Sequence, residues 1–377
     1  MATDAIVLGG GLMGSATAFF LARRGVAVTL IERARIGSGA TVASFGNIRR
    51  TGRDLSQLPL AHRSRRLWGE AERLLGRDVE FRATGHLRLV FDEEGLEDMR
   101  AYADAARPLG LELEELDAPA IARRFPGIGP DAIAASLSPR DGSANPRLVP
   151  AAFAAAAVRL GARVIENVSI ARAERTGAGF RVPTAAGDVA AEVLVNCAGA
   201  WGAGIAENFG EPVPLSANGP QMGVTEPLPP SIRPVVGIWT RKTAEAGYLR
   251  QVERGNVVFG GAAPRVAVPL DSGRARVDPD VAAGQMRAIL RLVPALRHVA
   301  VIRRWSGCEG YIADGLPVMG PSSTTPGLFH AFGFCGHGFQ LGPGVGDAMA
   351  ELVATGACET PLAPFHVSRF ATRAGAT

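Results

Sequence analysis

The segment "IVLGGGLMG" (Ile6–Gly14) restricts the possible folds of this chain more than any other. Ahead of the glycines, Ala5–Leu8 is a short apolar, β-branched run that reads as a buried parallel strand. From Met13 the apolar residues Ala16, Phe19, Phe20 and Ala22 recur at helical spacing as far as Arg24, where Gly25 supplies a stop. Val26–Ile31 is a second β-branched strand, and Glu32 closes it. The order is strand, glycine turn, helix, strand, acid, with Glu32 eighteen residues after Gly14.

Each part of this unit has a physical task. Gly9 permits the tight turn, Gly11 lets a pyrophosphate approach the backbone, and Gly14 lets helix and strand pack closely. The helix N-terminus presents unpaired N–H groups and partial positive charge to phosphates. Glu32 accepts hydrogen bonds from ribose hydroxyls and repels a 2′-phosphate. The unit therefore predicts a dinucleotide site, for a dinucleotide that lacks the 2′-phosphate.

Bulk properties narrow the class further. A length of 377 residues suggests two domains or three. With 47% apolar and 20% charged residues, the composition is that of a soluble globular protein with ample core. The net charge of +4 is small for this length, and the pI of 9.2 reflects abundant arginine, so no nucleic-acid partner is expected. Basic doublets such as Arg23–Arg24, Arg65–Arg66 and Arg123–Arg124 read as solvated helix faces. Cys197, Cys308, Cys335 and Cys358 lie far apart, with no CxxC and no histidine at metal spacing, so reduced thiols and no metal are expected. The first strand begins within five residues of Met1, so no export signal is expected. No apolar run approaches the ~18–20 residues of a membrane helix. A cytoplasmic location follows as an expectation.

The residues after Glu32 separate FAD from NAD. "RARIGSGATVASFGNIRR" (Arg33–Arg50) is a long small-residue loop where an NAD-binding fold starts its next helix. "GSGAT" (37–41), "LPLAHRSRRLWGEAE" (58–72), "RDGSANPRLVPAAFAAAAVRLGARV" (140–164) and "VNCAGAWG" (195–202) follow in order. "QMGVTEPLPPSIRPVVG" (221–237), "DGLPVMGP" (314–321) and "GFCGHGFQLGPGVGDAMAELV" (333–353) complete the series. Together these segments resemble the FAD-dependent D-amino-acid oxidase superfamily, in the branch of glycine oxidases and sarcosine oxidases, with the 221–237 stretch most like the sarcosine oxidase β subunit.

The resemblance implies an α/β fold: a Rossmann-like FAD-binding domain of the glutathione-reductase type, carrying an inserted substrate domain of mixed antiparallel sheet. The expected division is 1–79, 145–212 and 307–377 for the FAD domain, and 80–144 and 213–306 for the substrate domain. Within the latter, "GHLRLVF" (85–91), "YLRQV" (248–252) and "NVVFGG" (256–261) read as antiparallel strands, and 277–296 as a helix capped by Asp278 or Asp280. Pro343 suits the first turn of a C-terminal helix that runs to Thr355 and stops at Gly356.

The implied reaction is oxidation of the C–N bond of an amino acid or amine by hydride transfer to flavin N5, giving an imine that hydrolyses. Non-covalent FAD is expected against Gly9, Gly11, Leu12, Met13, Gly14, Glu32 and Arg33, against Ala40, Thr41, Gly46 and Asn47, and against Val168, Ala198 and Gly199. At the far end of the chain, Gly336, Gly338, Phe339 and Gln340 complete the set, with the final helix pointing its N-terminus at the flavin.

The candidate catalytic residues are Arg49, Arg50, Tyr248, Glu309, His337 and Gln340. Arg49 and Arg50 match arginines over the flavin face and suit a substrate carboxylate; a surface pair is the alternative. Tyr248 lines the substrate cavity or packs in the core, and His337 acts through backbone or imidazole. Glu309 replaces the carboxylate-gripping arginine of glycine oxidases, which implies carboxylate binding elsewhere, at Arg49, Arg50 or Arg250, or an extra positive group on the substrate. Gln340 replaces the lysine of monomeric sarcosine oxidases and points to a dehydrogenase that reduces oxygen poorly. Cys308 lies one place from a cysteine that attaches flavin covalently in that relative. The electron acceptor is oxygen, a quinone or a partner protein, and the chain acts alone, as a homo-oligomer, or as the β-like subunit of a hetero-oligomer. A flavoprotein that retains the fold without turnover is the reading from another class.

Overall fold

The computed structural model describes residues 3–169, 172–185, 187–261 and 265–371. The strand Ala5–Leu8 lies inside a six-stranded sheet in the order Val318–Pro321, Leu328–Phe332, Val193–Asn196, Ala5–Leu8, Val28–Ile31, Arg163–Ile165. All neighbours are parallel except the first pair. Alternation along Ala5–Leu8 sorts its side chains to opposite faces. Ala5 and Val7 join a core formed with the helices Leu12–Arg23, Leu58–Gly69, Val149–Arg159 and Gly338–Thr355. Ile6 and Leu8 join a second core beneath a three-stranded antiparallel sheet, Glu174–Thr176, Gly179–Val182 and Val189–Ala191. Burial on both faces explains why this strand carries no polar residue.

The first helix spans Leu12–Arg23, one residue earlier than its apolar pattern indicates, and Gly25 adopts φ +82° beyond it. The second strand begins at Val28 rather than Val26, because the amide of Val26 is held by the Leu21 carbonyl at 3.1 Å. That bond makes Val26 part of the turn that leaves the helix.

An eight-stranded mixed sheet forms the other layer, in the order Val301–Ser306, Gln221–Pro227, Asn256–Gly261, Gly247–Gln251, Val235–Ile238, His86–Val90, Ala134–Ser138, Glu114–Asp117. His86–Val90 is antiparallel to Ala134–Ser138 but parallel to Val235–Ile238, so only one of its two neighbours follows the antiparallel expectation. The helix Pro279–Leu292 covers this sheet with Ile289 and Leu292 buried. Asp278 caps it, accepting from the amides of Asp280 and Val281, a contact typically worth ~1 kcal/mol. The expected α/β architecture with its second, mixed sheet is the one observed.

The C-terminal helix differs from expectation at its start. It begins at Gly338, so Pro343 sits inside it rather than in its first turn. An interior proline lacks an N–H and crowds the carbonyl four residues back. Here the neighbouring helix repairs the break. The Gln340 carbonyl accepts from Ser64 Oγ at 2.5 Å and Trp68 Nε1 at 2.8 Å, while Ser64 Oγ accepts from the Gly344 amide at 3.1 Å.

Candidate active site

The glycine turn opens onto a cavity of about 1860 Å³ that extends to Arg49, Arg53, Tyr248 and Glu309. Gly9 adopts φ +100°, and a Cβ there would lie 2.5 Å from the Cys197 carbonyl oxygen. A Cβ on Gly14 would lie 1.8 Å from the Gly9 oxygen, so the close packing of helix on turn admits no side chain. At Gly11 the added atom would meet only Thr41 Oγ1, at 3.5 Å, which leaves this backbone open to the cavity. Glu32 braces the turn: Oε2 accepts from the Gly10 amide at 2.6 Å and Oε1 from the Ala34 amide at 2.8 Å. Thr41 Oγ1 accepts from the Leu12 amide at 3.0 Å, and the Arg33 guanidinium lies 3.5 Å over the Trp201 ring centre.

The opposite wall comes from the far end of the chain. Gly336, His337, Gly338, Phe339 and Gln340 line the cavity, and no side chain caps the helix that starts at Gly338. Gln340 Nε2 donates to the Ala61 carbonyl at 2.8 Å. Among the described residues, Asn47 Oδ1, His337 Nδ1 and Gln340 Oε1 are buried without a hydrogen-bond partner. Burial, reinforced by the charges of Arg53 and Arg49, holds the His337 imidazole well below its ordinary pKa, so it is neutral at pH 7.

Three guanidiniums stand together at the inner end. Arg49 and Arg53 line the cavity, and Arg88 lies behind Gly52, where a Cβ would come within 2.1 Å of Arg88 Nη1 and 3.0 Å of Arg49 Nη1. Arg49 donates to the Thr51 carbonyl, Arg53 to the carbonyls of Arg49 at 2.7 Å and His337 at 3.1 Å, and Arg88 to that of Ile238 at 3.2 Å. None has a carboxylate within ion-pair distance among the described residues. Burial lowers the pKa of Arg53 and Arg88 to about 9, which leaves both charged at pH 7. His86, beside them, is driven well below its ordinary value by burial and by all three arginines.

Tyr248 and Glu309 sit across from this wall. Tyr248 packs edge-on against Phe45 with ring centres 4.8 Å apart, and burial pushes its hydroxyl up to about 12, so it stays protonated. Glu309 Oε2 accepts from the Tyr311 hydroxyl and Oε1 from the Gly336 amide, both at 2.9 Å. Burial raises its pKa against these two donors. Arg265 lies 4.3 Å over the Tyr311 ring. Among the described residues, no group of three or more His, Cys, Asp or Glu side chains has the arrangement to hold a metal ion.

Residues 4–352 match the family described as FAD dependent oxidoreductase (DAO). The chain belongs to this family. It is 27% identical to glycine oxidase from Geobacillus kaustophilus, over 99% of this chain and 98% of that one. It is 28% identical to a subunit of opine oxidase from Agrobacterium tumefaciens, over 97% of each chain. The solved L-proline dehydrogenase of P. horikoshii superimposes with a TM-score of 0.91 at 27% identity, covering 98% of both chains.

The site's own features fit the FAD that this oxidoreductase family uses. The volume exceeds the ~300–1,000 Å³ of a typical small-molecule pocket, as a dinucleotide with a substrate requires. The glycine cradle fits a diphosphate, and the uncapped helix starts at Gly11 and His337 supply partial positive charge at either end. The partnerless atoms of Asn47, His337 and Gln340 suit a heterocycle rich in donors and acceptors.

The cavity collects most of the residues singled out from the sequence. Gly9, Gly11, Leu12, Met13, Glu32, Arg33, Ala40, Thr41, Asn47, Ala198 and Gly199 line it, as do Arg49, Tyr248, Glu309 and Cys308. Gly14, Gly46 and Val168 do not; they pack behind its wall, with the Val168 amide bonded to the Glu32 carbonyl at 3.1 Å. Arg50 also stands outside, its Nε 2.8 Å from Asp141 Oδ1 in a buried pair, which corrects its expected place beside Arg49. Arg250 likewise does not line the cavity, because its guanidinium is bound to the Phe45 carbonyl at 2.9 Å. Sequence reasoning missed Arg53, His86, Arg88 and Tyr311. The signal for Arg53 was present in "RRTGRD" (49–54), where three arginines share one acid.

Proposed function

We propose that this FAD-dependent oxidoreductase oxidises the C–N bond of an amino acid, primary or N-substituted, whose carboxylate is received by Arg49 and Arg53. The observation that carries the reading is the single cavity joining the glycine turn to a wall of arginines without acidic partners. Bound FAD supplies the hydride acceptor, and the imine that leaves hydrolyses in water. The chain's residues hold, orient and exclude. Arginine on a carboxylate fixes the substrate carbon, and the packed rings of Phe45 and Tyr248 give that space an apolar wall. Burial and the neighbouring arginines hold His86 and His337 well below their ordinary pKa, which makes both weak bases, and Tyr248 keeps its proton at pH 7.

An anaerobic screen of amino acids and N-alkyl amines, followed by loss of the flavin's visible absorbance, tests this. At least one amino acid should bleach the flavin, whereas bleaching by none would favour a flavoprotein without turnover.

Three finer assignments belong to the same reading. The Gln340 amide has one end tied to Ala61 and brings no positive charge, which supports a dehydrogenase slow toward oxygen. Rapid mixing of the reduced enzyme with oxygen should show slow reoxidation. The Cys308 thiol is buried and its pKa raised, so it is a poor nucleophile, which supports non-covalent FAD; acid precipitation should leave the pellet colourless. Sheet membership supports a domain division of 1–79, 145–212 and 307–377 from 80–144 and 213–306, since the six- and eight-stranded sheets respect those bounds.

A hetero-oligomeric assembly is the second reading. The opine oxidase relative is by name a subunit, and Ile302 is 60% exposed on the sheet-edge strand Val301–Ser306. Size exclusion of the natively expressed protein discriminates. No helix among the described residues is long and apolar enough to cross a membrane. The four cysteines are free, in keeping with the cytoplasm where we place the protein.

A further inference from the structure

The charge at the inner end of the cavity exceeds what one carboxylate can balance. Arg49, Arg53 and Arg88 are largely removed from water, stand close enough for each to bear on His86, and have no acidic partner among the described residues. The carboxylates in reach are already committed. Asp141 is paired with Arg50 at 2.8 Å, and Asp98 serves Arg241 and the Trp239 indole. The nearby imidazoles carry no charge, and Glu309 lies across the cavity, held by Tyr311 and Gly336. Buried guanidiniums without counter-ions are retained where a ligand supplies the negative charge. Arg88 is the surplus member. Arg49 and Arg53 already line the cavity, whereas Arg88 stacks 4.1 Å over Trp239 and turns its Nη1 toward Gly52, beside Arg49.

We propose that the substrate of this oxidation carries two carboxylates, and that Arg88, through its charge beside Arg49, makes the cavity prefer the diacid over the corresponding monoacid. The proposal rests on C–N oxidation only for the identity of the reacting bond; the preference itself is a matter of binding. Arg88 acts here as a positioning residue behind the two arginines that meet the ligand. Glu309 and Arg265 line the opposite wall, where the Glu309 carboxylate offers the substrate amine an acceptor. The second carboxylate comes either from an N-carboxyalkyl group or from an acidic side chain, and the two sources differ in skeleton.

Ligands that cannot be oxidised separate binding from turnover. Diglycolate and methoxyacetate differ only in the second carboxylate and copy the skeleton of an N-carboxymethyl amino acid; succinate copies an acidic side chain. Titrate each into the FAD-loaded protein and follow both the flavin spectrum and the melting temperature. A diacid should bind at least about tenfold more tightly than methoxyacetate. Diglycolate leading would identify the N-linked source, and succinate leading the side-chain source. In Arg88→Met the diacid advantage should shrink to less than about threefold with methoxyacetate affinity little changed, and Arg88→Lys should restore most of it. Equal affinity for monoacid and diacids in the native protein overturns the proposal, as does an Arg88→Met protein that loses both equally. Tight diacid binding in a protein that no amine bleaches would uphold the diacid site and overturn only the oxidative reading.

Discussion

Ser64 donates its hydroxyl to the Gln340 carbonyl at 2.5 Å and accepts from the Gly344 amide at 3.1 Å, so one side chain stands inside the hydrogen-bond ladder of another helix. The insertion falls where Pro343 interrupts that ladder, and it sets the direction of the turn carrying Gly338, Phe339 and Gln340. In Ser64→Ala the Gln340 carbonyl keeps Trp68, but the Gly344 amide loses its acceptor. A buried unpaired donor costs roughly 1–3 kcal/mol. The expected outcome is a lower urea midpoint at unchanged slope, together with weaker FAD retention on dialysis.

The three glycines of the first turn should fail in different ways. Gly14→Ala forces a Cβ onto the Gly9 oxygen, and its steric conflict is with backbone, so helix and strand must separate. Gly11→Ala meets only Thr41 Oγ1, at an ordinary contact distance, and its methyl group projects into the nucleotide's space. Circular dichroism and FAD titration distinguish them. Gly11→Ala should melt as the apoprotein does while binding FAD poorly, and Gly14→Ala should lose both stability and FAD.

These differences mark what the sequence could reveal. The turn from Gly9 to Gly14 and the acid at Glu32 act on neighbours close in the chain, so their spacing and flanking strands pointed to a dinucleotide turn. The arginine wall was only partly visible. Arg49 and Arg50 are adjacent and chemically alike, yet one faces the cavity and the other is claimed by Asp141, which lies 91 residues away. Arg88 and His86 belong to a strand whose register is fixed by partners at 134–138 and 235–238, and no local pattern announces that their side chains converge on Arg49. Pro343 misled for the same reason, since the hydroxyl that accommodates it belongs to a different helix.

Arg50 and Asp141 should govern stability more than catalysis. Asp141 is fully buried and accepts from both the amide and the guanidinium of Arg50, at 2.9 and 2.8 Å. Removing one partner of such a pair leaves an uncompensated charge and costs roughly 3–5 kcal/mol. Asp141→Asn should therefore lower the melting temperature sharply, while kcat of the folded fraction stays near the native value. A collapse of kcat at native stability would instead return Arg50 to the catalytic machinery.

Acid should weaken the fold through His86. Its side chain is 2% exposed and its folded-state pKa lies well below 6.5, so the unfolded chain binds a proton that the native one refuses. Stability is complete above about pH 6.5 and falls as pH drops below it, with a slope approaching ~1.4 kcal/mol per pH unit for each such histidine. Urea midpoints between pH 7.5 and 5 should trace this fall, and His86→Gln should flatten it.

The two-residue strand Asn47–Ile48 pairs with Gly142–Ser143, while Ser143 exchanges backbone bonds with Arg82 at 2.8 and 3.1 Å. A Cβ at Gly142 would strike the Arg82 carbonyl at 1.9 Å, so this stitch is drawn tight. It fastens the loop beneath the nucleotide to the margin of the larger sheet. A clamshell motion that parted the two layers would have to unpick it first. Any parting of the two sheets would have to break the Arg82–Ser143 bonds, so this stitch couples the loop at Asn47 to the margin of the larger sheet.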